Sequence, residues 1–326
     1  MSEMGFLSEL RRLDIHLWMD GDQLRCNARA GALTDELRAQ LRQRRNDIVT
    51  FLRSAHAVAA QQSTIVPLQP NGERMPVFAV PGHNGDVFCY RALAQALGDE
   101  GPFFGLQPPG LDGRSEPLTS VEKLAGHFAD QVRAFRPRGP CIVAGFCAGG
   151  AVALELARQL LAGGKDVAFV ALFGSPYPAF FRPLQQLRYR MERRVESWRR
   201  HACALAERSW RERIAYLAGE LRPRGAPRPD APDPVLAQRA KVERATLAAV
   251  RAYTPAYFAG RVHLFMPCKS WAGSSSGGSR WSSVAARTES YFGPDGCTAD
   301  NMLLPQHAPA FGELFRYSCR RSLGAV

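Results

Sequence analysis

At 326 residues, with 46% hydrophobic and 22% charged side chains, the chain is long enough to bury the core of one ordinary α/β domain with a small unit beside it. No apolar run approaches a membrane span, and the acidic opening Met1-Ser2-Glu3-Met4-Gly5-Phe6-Leu7-Ser8-Glu9 lacks the apolar stretch of a secretory signal, so a cytoplasmic location with no membrane contact is expected. The net charge of +12 comes almost wholly from arginine, the only lysines being Lys123, Lys165, Lys241 and Lys269; with no motif that reads RNA or DNA beside it, the charge points to an acidic protein partner or a solvated helix face, not to nucleic acid.

Eight cysteines without close CxxC spacing argue for reduced thiols and against a zinc site or a disulfide framework. No metal or bound cofactor is therefore expected. Residues 1–53 read as a unit of their own. Phe6 to Leu13 has helical apolar spacing, His16-Leu17-Trp18-Met19 is a short strand, and Asp20-Gly21-Asp22 supplies a hairpin turn before Gln23 to Ala28. Thr34 then caps a helix with Asp35 and Glu36 in its first turn, and Leu37, Leu41, Ile48 and Leu52 mark its buried face. Residues 54–64, rich in alanine and glutamine, form a linker.

From Ile65 to residue 326 the pattern alternates strand and helix, which implies a mostly parallel sheet covered on both faces. Strands are expected at Pro76 to Val80, Phe103 to Leu106, Ile142 to Ala144, Val167 to Phe173 and Arg261 to Phe265, with a helix from Val121 to Phe135. Residues 182–253 break the rhythm with Arg-rich helical sequence and read as a lid insertion. A glycine-rich loop follows at Gly273 to Gly278.

The chemistry concentrates at Gly145-Phe146-Cys147-Ala148-Gly149, between an apolar strand and the helical stretch Ala151 to Arg158. Small neighbours let the backbone turn sharply and push the apex side chain out above the sheet. Cys147 is thus the candidate nucleophile, and the helix end behind it is expected to lower its thiol pKa. Cys26, Cys89, Cys141, Cys203, Cys268, Cys297 and Cys319 lack that setting and read as small buried or exposed residues.

Two resemblances extend this reading. The segment from Leu7 to Arg53, with its Leu-Trp-x-Asp-Gly-Asp-x-Leu core, resembles the N-terminal docking domains of nonribosomal peptide synthetase subunits, which implies an upstream synthetase as partner. The stretches PVFAVPGHNGDVFCYRALAQAL, FFGLQPPGLDGRSEP, CIVAGFCAGGAVALELARQL and AYTPAYFAGRVHLF resemble the thioesterase domains of peptide and polyketide synthetases, over about Ile65 to Ser318. That resemblance implies an α/β-hydrolase fold, a carrier protein that presents the acyl group on phosphopantetheine, and an oxyanion hole made by the backbone N–H groups of His83 and Ala148.

The sequence departs from that family at three positions. Cysteine replaces the usual serine at 147. Glycine, in Leu172-Phe173-Gly174-Ser175, stands where the family's acid commonly lies. In Cys297-Thr298-Ala299-Asp300-Asn301-Met302-Leu303, ungapped, Ala299 stands where the family has its histidine; a two-residue slip would put Cys297 there. His307 is the nearest substitute base and Asp300 a candidate acid, with Asp295 close by in sequence; His263, inside a strand, reads as structural. A thiol can take an acyl group by thioester exchange without a full triad, whereas activating water needs a base. Release by cyclisation or transfer is therefore the expected activity, with a hydrolytic editing thioesterase and a catalytically silent carrier-binding module as alternatives.

Overall fold

The computed structural model describes Phe6 and Leu10 and residues 15–20, 23–28, 33–50, 64–182, 234–272 and 278–323. The linker at 54–63, the hairpin tip at 21–22, Leu52, most of the Arg-rich insertion and the 273–277 loop lie outside these residues.

In the N-terminal unit, β1 (Ile15–Asp20) pairs antiparallel with β2 (Gln23–Ala28), and α1 (Asp35–Gln43) follows, continued by helical turns over 45–50. Thr34 caps α1 by accepting the Leu37 amide at 3.2 Å. The i, i+4 spacing of Leu37 and Leu41 and the later Ile48 bring one face of these helical turns against Phe6, Leu10, Ile15 and Leu17.

The larger unit is built on a seven-stranded sheet of order β3-β5-β4-β6-β7-β8-β9, in which β3 (Ile65–Gln69) is antiparallel and the other six strands are parallel. These are β4 (Val77–Val80), β5 (Phe103–Leu106), β6 (Cys141–Phe146), β7 (Val167–Phe173), β8 (Phe258–Met266) and β9 (Ala285–Phe292). Alternation along each strand divides the core in two. Phe78, Val80, Val143, Val170 and Leu172 face α3 (Val121–Phe135) and α4 (Gly149–Ala162). Val77, Ala79, Ile142, Ala144, Ala171 and Phe173 face α2 (Arg91–Leu97) and the C-terminal helix Ala308–Leu323. A mostly parallel sheet buried on both faces by helices is what the strand and helix pattern implied, and it agrees with the α/β-hydrolase fold that the thioesterase resemblance implies.

One long helix of the insertion, α5 (Pro234–Ala252), is described, and it is fastened to the main body along its length. Gln238 donates to the Gly110 carbonyl, Lys241 pairs with Glu116 at 2.7 Å, and Arg251 donates to the Phe181 carbonyl at 3.0 Å. Just past its end, Tyr253 donates its hydroxyl to Glu155 at 3.0 Å. Glu155 is buried within α4, and burial alone would raise its carboxyl; hydrogen bonds from Arg158, Gln159 and Tyr253 hold it below the usual range. Tyr253→Phe should therefore leave a buried carboxylate one donor short and cost about 2 kcal/mol in urea unfolding. An unchanged midpoint and slope would show that the bond contributes nothing to stability.

Candidate active site

The site starts from the crowding of small residues at the end of β6. A Cβ at Gly145 would lie 2.7 Å from the Ala153 Cβ, one at Gly149 would lie 2.0 Å from the Pro81 carbonyl oxygen, and one at Gly150 would lie 2.5 Å from the Ser175 hydroxyl. Only glycine fits these places. They let β6 turn straight into α4 while the loop after β4 presses against the first helical turn. Among the described residues Cys147 is the one non-glycine residue with positive φ, at 52°, a conformation that costs energy and is held by the bonds of its peptide groups. Its amide donates to the Phe173 carbonyl at 3.1 Å and its carbonyl accepts from Gly150 at 3.2 Å. Ser175 adds a hydroxyl bond to the Gly145 carbonyl at 3.2 Å.

The sulfur environment corrects one expectation. Burial pushes the Cys147 thiol up to about 12, and the nearby Asp300 carboxylate adds to the rise. The Ala148 amide, at the head of α4, donates to the sulfur and pulls the other way, but does not win. The helix end is present as expected; what the motif could not reveal is how much protein packs around the sulfur of a residue that itself stays partly exposed. The Cys147 side chain is thus held as a thiol.

The structure brings together some of the candidate residues and separates others. The loop Pro81 to Gly85 folds over the elbow, with a turn closed by the Gly85 amide on the Gly82 carbonyl at 3.0 Å. Its His83 faces Cys147 with its ring: Nδ1 lies 3.9 Å from Sγ. Nε2 of the same ring lies 3.5 Å from a carboxylate oxygen of Glu243, on α5. Val242, beside it, packs on the same loop, since a Cβ at Gly85 would lie 3.5 Å from its methyl carbon. Sequence reasoning missed Glu243. It is the sole acidic residue of α5, and its meeting with His83 joins parts of the chain far apart in sequence.

Gly174 and Ala299 are neighbours in space: a Cβ at Gly174 would lie 3.4 Å from that of Ala299 and 2.7 Å from the Met302 sulfur. The Met302 sulfur thus occupies the space that a side chain at Gly174 would need. Cys297, the other residue considered for the histidine place, is buried and its thiol is directed to the Asn301 side chain at 3.4 Å. Burial pushes that thiol up to about 11. Asp300 is exposed on the same loop, and Asp295 is exposed one turn earlier. His307 sits just before the C-terminal helix, where its carbonyl accepts the Phe311 amide at 3.3 Å; among the described residues the imidazole within reach of Cys147 is that of His83. His263 lies inside β8, stacked on Phe169 at 4.2 Å. No group of three metal-ligating side chains occurs among the described residues, and no helix there is long and apolar enough to cross a membrane.

Residues 5–54 match the TubC N-terminal docking domain, and residues 75–287 match the thioesterase domain. The inactive atromentin synthetase invA6 of Paxillus involutus is 37% identical over 129 residues, which cover 39% of this chain and 13% of that protein. The dimodular nonribosomal peptide synthase of Bacillus subtilis strain 168 is 30% identical over 122 residues, covering 37% of this chain and 5% of that protein. The chain thus corresponds to a small part of these curated relatives. Among solved structures, the NocB thioesterase domain from the nocardicin cluster superposes with a TM-score of 0.56 at 19% identity, covering 80% of this chain and 99% of that one. The Vlm2 thioesterase domain, solved with genetically encoded 2,3-diaminopropionic acid and a dodecadepsipeptide, gives 0.56 at 20% identity over 78% of this chain and 98% of its own. Identities this low speak for the fold, while the thioesterase match spans well over half of the sequence and encloses the elbow. The chain belongs to the thioesterase-domain family and carries a region matching a docking domain at its N-terminus.

Proposed function

We propose that the protein takes an acyl group from the phosphopantetheine thioester of a carrier protein onto Cys147 and releases it to an amine or thiol acceptor, by cyclisation or transfer. The N-terminal docking unit recruits the upstream synthetase subunit that delivers the substrate, and the reaction takes place in the cytoplasm. The observation that carries this reading is the elbow itself: a cysteine held at positive φ with a backbone donor on its sulfur, in a family fold where glycine and alanine fill the acid and histidine places. Exchange of one thioester for another is nearly thermoneutral, so the acyl group keeps its energy for the second step. An amine or thiol is a stronger nucleophile than water and captures the acyl group ahead of it. Loss of both family residues also favours a second reading, a carrier-binding module without catalysis.

Intact mass distinguishes the two. With an acyl-loaded carrier protein, the wild-type chain should gain the acyl mass and Cys147→Ala should not. The adduct should persist in buffer and disappear on adding an amine or thiol. Prompt free acid would instead identify a hydrolytic editing enzyme, and no adduct with the partner carrier present would leave the binding role.

A further inference from the structure

We propose that His83 is the general base for Cys147 and that Glu243, from the helix α5 that covers the site, orients it, so that a Cys147–His83–Glu243 relay replaces the one missing at Gly174 and Ala299. The substrate side of this inference rests on the acyl-transfer reading above; the proton relay itself rests on geometry. Nε2 of His83 faces Glu243 at 3.5 Å and Nδ1 faces the sulfur at 3.9 Å; a carboxylate can only accept, so the tautomer this relay uses carries its hydrogen on Nε2 and turns the Nδ1 lone pair to the sulfur. The separation from sulfur is long, as catalytic contacts often are before substrate binds. The Glu243 side chain is 15% exposed, so bulk water screens the pair less than it would on the surface. A thiol pushed up to about 12 gives this base something to do.

In the first step the sulfur attacks the thioester carbonyl as its proton passes to His83 Nδ1. The new sulfur–carbon bond forms, and the carbonyl becomes an oxyanion. Its collapse breaks the bond to phosphopantetheine, whose leaving thiolate takes the proton back from the imidazolium. In the second step the incoming amine or thiol attacks the acyl carbon as His83 accepts its proton, forming a new nitrogen–carbon or sulfur–carbon bond and a second oxyanion; its collapse breaks the Cys147 sulfur–carbon bond, and the Cys147 thiolate is reprotonated from the same ring. Glu243 accepts from the Nε2 hydrogen and steadies the ring. It is a positioning residue, while His83 touches the reacting atom.

Two readouts test this on the full chain. One is the rate of carrier-dependent acyl loading by intact mass. The other, independent of any carrier, is the alkylation of Cys147 by iodoacetamide against pH, resolved by peptide mass. Among the described residues, the charged and titratable groups that bear on the sulfur are His83 from the β4 loop, Cys89 and Tyr90 from the turn that follows it, and Asp300 from the loop after β9; Glu243 of α5 faces His83. His83→Gln should slow loading by about 100-fold or more. Glu243→Gln should slow it by about 10-fold or more, with Glu243→Asp recovering part of the loss because the carboxylate is restored.

At pH values below the free thiol's own ionisation, wild-type Cys147 should be alkylated faster than Cys147 in His83→Gln, because the ring accepts the thiol proton. In His83→Gln that advantage should vanish and leave only the climb toward ionisation of the free thiol. Circular dichroism on each variant separates loss of the base from loss of the fold, and Glu243→Gln offers a second route should His83→Gln fold poorly. Coincident alkylation profiles for wild type and either folded variant would overturn the relay. Distinct profiles without any acyl adduct would support the relay and refute the carrier reaction.

Discussion

Gly149→Ala is expected to cost about 3 kcal/mol or more in urea unfolding and to abolish acylation of Cys147. The added methyl would sit 2.0 Å from the carbonyl oxygen of Pro81 and 2.9 Å from its carbonyl carbon and from the Val80 oxygen. These are backbone atoms, and Val80 is held in the middle of the sheet by β6. Relief cannot come from rotating a side chain. It must come from lifting the β4 loop off α4, which carries Gly82 and His83 away from Cys147; a Cβ at Gly82 would lie only 3.7 Å from that of Cys147. Gly164→Ala is the control. Gly164 also has a glycine-favoured φ, 78°, but an added methyl meets nothing within 4 Å, so only the strain of a left-handed alanine remains, about 1–2 kcal/mol. A Gly149→Ala protein no less stable than Gly164→Ala, with normal acylation, would show that the loop and helix are not pressed together as described.

How much of this was legible in the sequence depends on whether the relevant physics is local. Strands buried on both faces read as apolar runs, and Phe103–Leu106 and Val167–Phe173 occupy the expected residues. The helix Val121–Phe135 does so too, because its buried stripe and the Ser120 cap are both written locally. The strand Ala285–Phe292 was not expected. Its exposed Ala286, Arg287 and Ser290 give it no apolar run, and parallel pairing with β8 is what holds it. At the site, the elbow was readable as a motif, and Gly174 and Ala299 stood out as departures from the thioesterase resemblance. That Gly174 and Ala299 touch was not, nor was the contact between His83 and Glu243, since each joins parts of the chain far apart in sequence. The thiol was misjudged for the same reason. A helix end is a local feature that lowers a thiol pKa, but burial depends on everything packed above it, and burial decides the outcome here.

His263 should make the fold sensitive to mild acid. The ring is buried within β8, between Phe169 at 4.2 Å and Tyr291 at 5.6 Å; its Nε2 meets the Ser322 hydroxyl at 3.1 Å, while its Nδ1 is buried without a hydrogen-bond partner among the described residues. Burial pushes its pKa down to about 4, against the opposing pull of Glu289. In the unfolded chain the same ring titrates near about 6.5. Between these values the unfolded state binds the proton and the folded state does not, so stability rises with pH across the window. The full contribution is present above pH about 6.5, is lost progressively as pH falls toward about 4, and amounts to about 3 kcal/mol at about 1.4 kcal/mol per unit. His263→Phe keeps an aromatic ring against Phe169 and removes the proton site. Unfolding free energies measured from pH 7 to pH 4 should fall less steeply for the variant than for the wild type, the carboxylates being common to both. Parallel curves would mean that the ring is protonated in the folded state or reached by water. A flatter curve for His263→Phe would identify this strand histidine, remote in role from Cys147 chemistry, as a principal acid-labile point of the sheet.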